Sequence, residues 1–138
     1  MAKLNILLAI SSVFIIPAQS ICYYPDGRST PQDVPCFDNT DQSACCGQSY
    51  ACLSNGVCMA VGEHAKTPGV ELYARGSCTD KTWKSADCPN FCVDANFDNL
   101  HDGVDMIKCD NDSWFYCKRD KGPQGNCTNG LNVLVFSG

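Results

Sequence analysis

The sequence predicts a small disulfide-rich fold: irregular chain, short β-hairpins and one or two short helices. Three observations predict it. Twelve cysteines occur in 138 residues, at Cys22, Cys36, Cys45, Cys46, Cys52, Cys58, Cys78, Cys88, Cys92, Cys109, Cys117 and Cys127. A hydrophobic leader precedes them and contains none. Ile, Leu, Val and Phe are too sparse after the leader for a core that rests on apolar burial alone. An even set of cysteines behind an export leader reads as a disulfide framework in an oxidising compartment. Each bridge adds about 2–4 kcal/mol, chiefly by restricting the unfolded chain.

Residues 1–20 have the parts of a secretory signal. Lys3 opens the segment, a mostly apolar run follows to Ile16, and Pro17 ends it. Ala18-Gln19-Ser20 then places small residues where a signal peptidase cuts. The apolar run is too short to span a bilayer. The other apolar run, Leu131-Asn132-Val133-Leu134-Val135-Phe136, is too short for a stop-transfer helix or lipid-anchor signal and reads as a terminal strand. The expectation is a free, secreted, extracellular monomer with no membrane span after cleavage.

The cysteines fall into a first six-cysteine unit in residues 21–58 and a second in residues 78–138. Residues 59–77 between them lack cysteine and read as a linker or long loop, with Val70-Glu71-Leu72-Tyr73-Ala74 as a possible strand. Asn55-Gly56, flanked by Leu53 and Val57, predicts a hairpin between Cys52 and Cys58. Thr79-Asp80-Lys81-Thr82-Trp83 carries cap-type residues and predicts a short helix over 80–86. Cys45 and Cys46 are adjacent, so they should point to opposite sides and bond different partners. That arrangement resembles small cystine-knot domains. The resemblance implies Cys22–Cys46, Cys36–Cys52 and Cys45–Cys58, one pairing among many that six cysteines allow.

Acidic residues outnumber basic ones by 15 to 10, for a net charge of −5. The balance argues against nucleic-acid phosphates and anionic lipid as partners. Lys118-Arg119-Asp120-Lys121 is a basic cluster broken by its own aspartate, and a solvated loop explains it.

Cys22-Tyr23-Tyr24-Pro25-Asp26-Gly27, Val34-Pro35-Cys36, Ala44-Cys45-Cys46, Cys52-Leu53-Ser54-Asn55-Gly56-Val57-Cys58, Arg75-Gly76-Ser77-Cys78-Thr79-Asp80-Lys81-Thr82-Trp83 and Cys88-Pro89 occur in that order. The run resembles a family of small secreted or surface-exposed cysteine-rich proteins of filamentous ascomycete fungi. The Arg-Gly-Ser-Cys-Thr-Asp stretch with its tryptophan is the most specific part. The resemblance implies an effector-like protein acting at a host surface, in the apoplast if the fungus is plant-associated. It implies no enzyme and no catalytic residue.

Several constellations carry chemistry. Asp94, Asn96, Asp98, Asp102 and Asp105 fall at calcium-loop spacing. Asn99 stands where that loop needs glycine, and Asp105 where it needs glutamate. His64 and His101 are the two histidines, and oxidised cysteines would leave them without thiolate partners for zinc. Neither is marked as a catalytic base, and acid abundance alone does not make a glycosidase. No cofactor is expected. The CC-x5-C spacing through Tyr50 matches small chitin-binding disulfide domains, and Tyr23, Tyr24 and Tyr73 are further candidate sugar platforms. Asn111 and Asn126 open glycosylation sequons. The expected function is extracellular binding to a host protein or surface, modulating host immunity or cell death. The alternatives are a chitin- or glycan-binding cell-wall module, and a protease inhibitor that uses residues 59–77.

Overall fold

Eleven short strands and one helical turn follow one another among the described residues, which are 20–111 and 113–136 with residues 10 and 12. The structure is a computed structural model. The expected leader lies almost wholly outside the described residues. No helix within them is long and apolar enough to cross a membrane.

Two antiparallel sheets organise the chain. The first contains β1 (Cys22–Tyr23), β2 (Ser29–Thr30), β3 (Val34–Pro35), β4 (Ala44–Cys46) and β8 (Ser77–Cys78), in the order β2-β1-β8-β4-β3. The second contains β5 (Tyr50–Cys52), β6 (Cys58–Ala60), β7 (Tyr73–Arg75), β9 (Val104–Lys108), β10 (Trp114–Cys117) and β11 (Leu134–Val135), in the order β11-β10-β9-β7-β6-β5. The hairpin predicted at Asn55-Gly56 is present: Cys52 faces Cys58, and Gly56 takes φ 84° at its tip. The terminal strand predicted over residues 131–136 is β11.

Residues 59–77 supply β6, the helical turn α1 (Gly62–Ala65), β7 and the start of β8. The chain passes from the second sheet to the first at Gly76, between β7 and β8. A Cβ built there would lie 2.1 Å from the Cys45 carbonyl oxygen and 2.9 Å from Cys58 Sγ. Only glycine lets the strand pass this close to β4 and the Cys46–Cys58 bridge.

All twelve cysteines are paired, as Cys22–Cys45, Cys36–Cys52, Cys46–Cys58, Cys78–Cys88, Cys92–Cys117 and Cys109–Cys127. Cys36–Cys52 is as expected, but Cys45 and Cys46 exchange the partners that the knot resemblance implied. Both lie on β4, where consecutive side chains face opposite ways. Cys45 meets Cys22 of the first sheet, and Cys46 meets Cys58 of the second. Alternation along the strand, rather than an interlaced order, decides the pairing.

No helix forms over 80–86. The Asp80 carboxylate accepts from the backbone N–H groups of Thr82, Lys84 and Ser85 and from the Thr82 hydroxyl. These bonds hold a turn and compete with a helical ladder. Trp83 also takes φ 55°, outside helical geometry. The described residues therefore contain one helical turn, α1, where one or two short helices were expected.

Burial is dominated by sulfur. Nine of the fifteen buried apolar residues are half-cystines. The conventional core is small: Val57, Val104, Met106 and Phe115 pack with Cys92 and Cys117. Edge-to-face ring contacts from Tyr73 to Phe115, Phe115 to Phe136 and Phe136 to Phe91 extend it.

Arg75, the last residue of β7, is fully buried at the sheet crossover. Its guanidinium donates to the carbonyls of Gly76, Cys92, Asn99 and Asp102. The Trp83 ring lies 5.6 Å from its central carbon. Desolvation pushes the guanidinium down to about 10, so it stays charged at neutral pH. Removing it strands several buried carbonyls at once. Arg75→Met is expected to lose about 3–5 kcal/mol in non-reducing denaturant unfolding. Arg75→Lys should recover only part, because an ammonium has three donors against five. An Arg75→Met protein within about 1 kcal/mol of wild type would contradict this role.

Candidate functional site

The seam between the sheets opens into a cleft of about 850 Å³. Its wall includes Tyr24, Asp33, Tyr50, His101, Asp102 and Asp105, and the Arg75-Gly76 crossover runs along it. Distant segments supply these groups. Tyr24 begins the turn after β1, where Gly27 N–H donates to its carbonyl. Asp33 sits in the turn between β2 and β3, and Tyr50 opens β5. Asp105 lies on β9. His101 and Asp102 belong to the loop that Arg75 grips through the Asn99 and Asp102 carbonyls.

Hydrogen bonds fix the wall. Ser77 Oγ donates to Asp33 Oδ2, which ties the β2–β3 turn to β8. Tyr50 Oη lies 3.1 Å from His64 Nε2, and the two rings meet edge to face at 5.1 Å. Asp102 Oδ1 accepts from Gly103 N–H at 2.8 Å. Burial pushes the Asp33 carboxyl above its ordinary value, tempered by the Ser77 and Thr30 hydroxyls. Burial also raises Asp105, against the pull of nearby Lys118. The Tyr24 and Tyr50 phenols rise for the same reason, so both present neutral hydroxyls.

Lys121 is one cation of the cleft wall, and three others already have partners. Arg119 makes a two-bond ion pair with the buried Asp98, through Nε at 2.7 Å and Nη2 at 3.2 Å. Lys118 Nζ lies 2.8 Å from Glu71 Oε1. The Arg75 guanidinium is spent on carbonyls. Asp33, Asp102 and Asp105 therefore give the cleft an acidic character, with two tyrosines among them.

The tyrosines considered as sugar platforms separate. Tyr50 and Tyr24 reach the same cleft. Tyr73 packs on Phe115 in the core. Tyr23 lies under Lys81, 5.8 Å away, and its carbonyl accepts from Trp83 Nε1.

The calcium window is divided as well. Asn96, Asp98, Asp102 and Asp105 border the cleft, but Asp98 is committed to Arg119 and to the Asp94 N–H. The Asp94 carboxylate accepts from Asn96 N–H. Among the described residues, the group of three metal-ligating side-chain atoms within 4.8 Å of one another is that of Cys36, Cys46 and Cys52, all in disulfides. His64 is turned toward Tyr50, and His101 is exposed at the cleft.

The sequon asparagines Asn111 and Asn126 are exposed. Asn111 Oδ1 accepts from Ser113, and Asn126 Oδ1 from Thr128 N–H. Asp112 of the first sequon lies outside the described residues. Within residues 59–77, the exposed loop is confined to the stretch between α1 and β7.

Sequence reasoning missed Asp33 and Arg75. A single aspartate in a turn gives no local signal. Arg75 does stand in the most specific stretch of the family resemblance, and that was the available clue. Comparisons with protein-family models, curated proteins and solved structures find no match.

The raised Asp33 group makes a pH prediction. Its folded value exceeds its unfolded one, so ionisation costs stability at neutral pH. That cost fades as pH falls through the folded value and is absent below the unfolded one. Asp33→Asn keeps an oxygen acceptor for Ser77 and cannot ionise. The melting-temperature difference, variant minus wild type, is expected to grow from about pH 4 to about pH 7. A difference that is flat or shrinks over this range would refute the assignment.

Proposed function

We propose that the chain is a secreted, effector-like binding protein that grips a cell-wall saccharide in the Tyr24–Tyr50 cleft, without catalysis. The observation that carries this reading is the convergence of two tyrosines and three aspartates on one concave surface. Sugar rings present C–H faces that pack on aromatic rings, and hydroxyls that donate to carboxylates. Six disulfides and the Arg75 anchor hold the wall in place, so little loop entropy is lost on binding. On the resemblance to fungal cysteine-rich proteins, such a ligand would belong to a fungal or host wall.

A second reading engages a host protein instead. It draws on β3 at the edge of the first sheet, where Val34 is half exposed.

Pull-down on insoluble chitin, cellulose and glucan tests the first reading. Retention on at least one polymer is expected, with Tyr24→Ala and Tyr50→Ala each weakening it about tenfold or more, roughly the worth of one stacked ring. Retention that both variants preserve would move the site away from the cleft. Failure on every polymer, with cell death or immune suppression in infiltrated plant tissue, would favour the protein partner. Release of soluble sugar would make the protein an enzyme.

A further inference from the structure

Two of the six bridges join the sheets, and they touch. Cys36, just after β3, and Cys46, on β4, belong to one hairpin of the first sheet. Cys52, on β5, and Cys58, on β6, belong to the hairpin at the edge of the second. The observed bonds run between the hairpins, as Cys36–Cys52 and Cys46–Cys58. Cys36 Sγ lies 3.6 Å from Cys46 Sγ, so sulfurs of different bridges are in contact.

The alternative partners are also in place. Cys52 and Cys58 sit directly opposite across the β5–β6 ladder. The ladder bonds fall at Leu53 with Val57 and at Ser49 with Val61. Cys52 and Cys58 are therefore a non-hydrogen-bonded pair, the kind in which facing Cα atoms approach to about 4.5 Å. That separation is within disulfide range. Cys36 and Cys52 are half-buried, so their bridge can be reached from solvent, whereas Cys46 and Cys58 are buried.

We propose that Cys36, Cys46, Cys52 and Cys58 form a thiolate-exchange site, where the two inter-sheet bridges isomerise to Cys36–Cys46 and Cys52–Cys58. The ligand is a low-molecular-weight thiolate. It attacks Cys52 Sγ, forms a mixed disulfide there and releases the Cys36 thiolate. The Cys36 thiolate attacks Cys46 Sγ across the existing contact, forms Cys36–Cys46 and releases the Cys58 thiolate. The Cys58 thiolate then attacks Cys52 Sγ, closes Cys52–Cys58 and returns the incoming thiolate. Two bonds break and two form, with no net oxidation or reduction. The product has both bridges inside hairpins and none of this pair between the sheets. The cleft, which Cys58 and Gly76 help to line, loses that tie.

Folded protein is incubated with a trace of reduced glutathione at mildly alkaline pH, then acid-quenched and alkylated. Chymotryptic cleavage after Phe37, Tyr50, Leu53 and Met59 places Cys36, Cys46, Cys52 and Cys58 on separate peptides. The expected result is a new linkage of peptide 51–53 to peptide 54–59, together with the Cys36 peptide linked to peptide 38–50. Recovery of only the original linkages, or of reduced peptides without the new ones, overturns the proposal. A second arm uses Cys52→Ser, which leaves Cys36 as a thiol beside Cys46. Alkylation is expected to shift from Cys36 to Cys58 with time. Label that stays on Cys36 alone overturns the proposal, and if this variant does not fold, the wild-type arm decides.

Discussion

The buried guanidinium of Arg75 is the interaction on which the architecture depends. Among the described residues no carboxylate comes within ion-pair reach of it; carbonyls hold it instead. Those carbonyls belong to the crossover itself and to the loop between Cys92 and Asp102, a stretch with no regular structure of its own. A loop of this kind carries backbone acceptors that water must satisfy or the protein must. One side chain with five donors satisfies three of them, besides the Gly76 carbonyl, and fixes the loop against the second sheet. The cleft wall follows, because His101 and Asp102 are carried by that loop.

Sulfur supplies much of the interior that a larger protein would build from leucine and isoleucine. Half-cystines outnumber every other residue type in the buried set. The bridges keep to the sequence division, three within each group of six, while the strands do not. β8 carries Cys78 of the second group, yet it lies in the middle of the first sheet. Covalent and hydrogen-bonded connectivity thus partition the chain differently. Gly76 is the residue at which both must be accommodated, since it passes within contact of a carbonyl and a bridge at once.

What the sequence discloses depends on range. The Asn55-Gly56 hairpin is legible because its turn chemistry and flanking residues are local. Opposed partners for Cys45 and Cys46 are legible from strand alternation, but which partner each takes depends on strands that meet only in the fold. The turn at 80–86 looks helical because Asp80 is a good cap residue. Its side chain instead takes up three amides and stops the helix it was expected to start. Of the cleft, Tyr50 could be singled out from the spacing of cysteines around it. Asp33, Tyr24 and Asp105 come together through β8 and the crossover, a convergence that no window of sequence contains.

The place of β8 bears on the order in which the chain can mature. The strands on either side of it, β1 and β4, are made long before residues 77 and 78 emerge, and the Cys22–Cys45 bridge joins those same two strands. A nascent chain that closes this bridge early must still admit a late strand into a slot whose sides are already tied. One that waits carries two reactive thiols from Cys45 until Cys78 has emerged. Either way the first sheet cannot be completed from residues 21–58 alone. The sheet waits for a two-residue strand, and the oxidation of the segment before it has to be timed to that arrival.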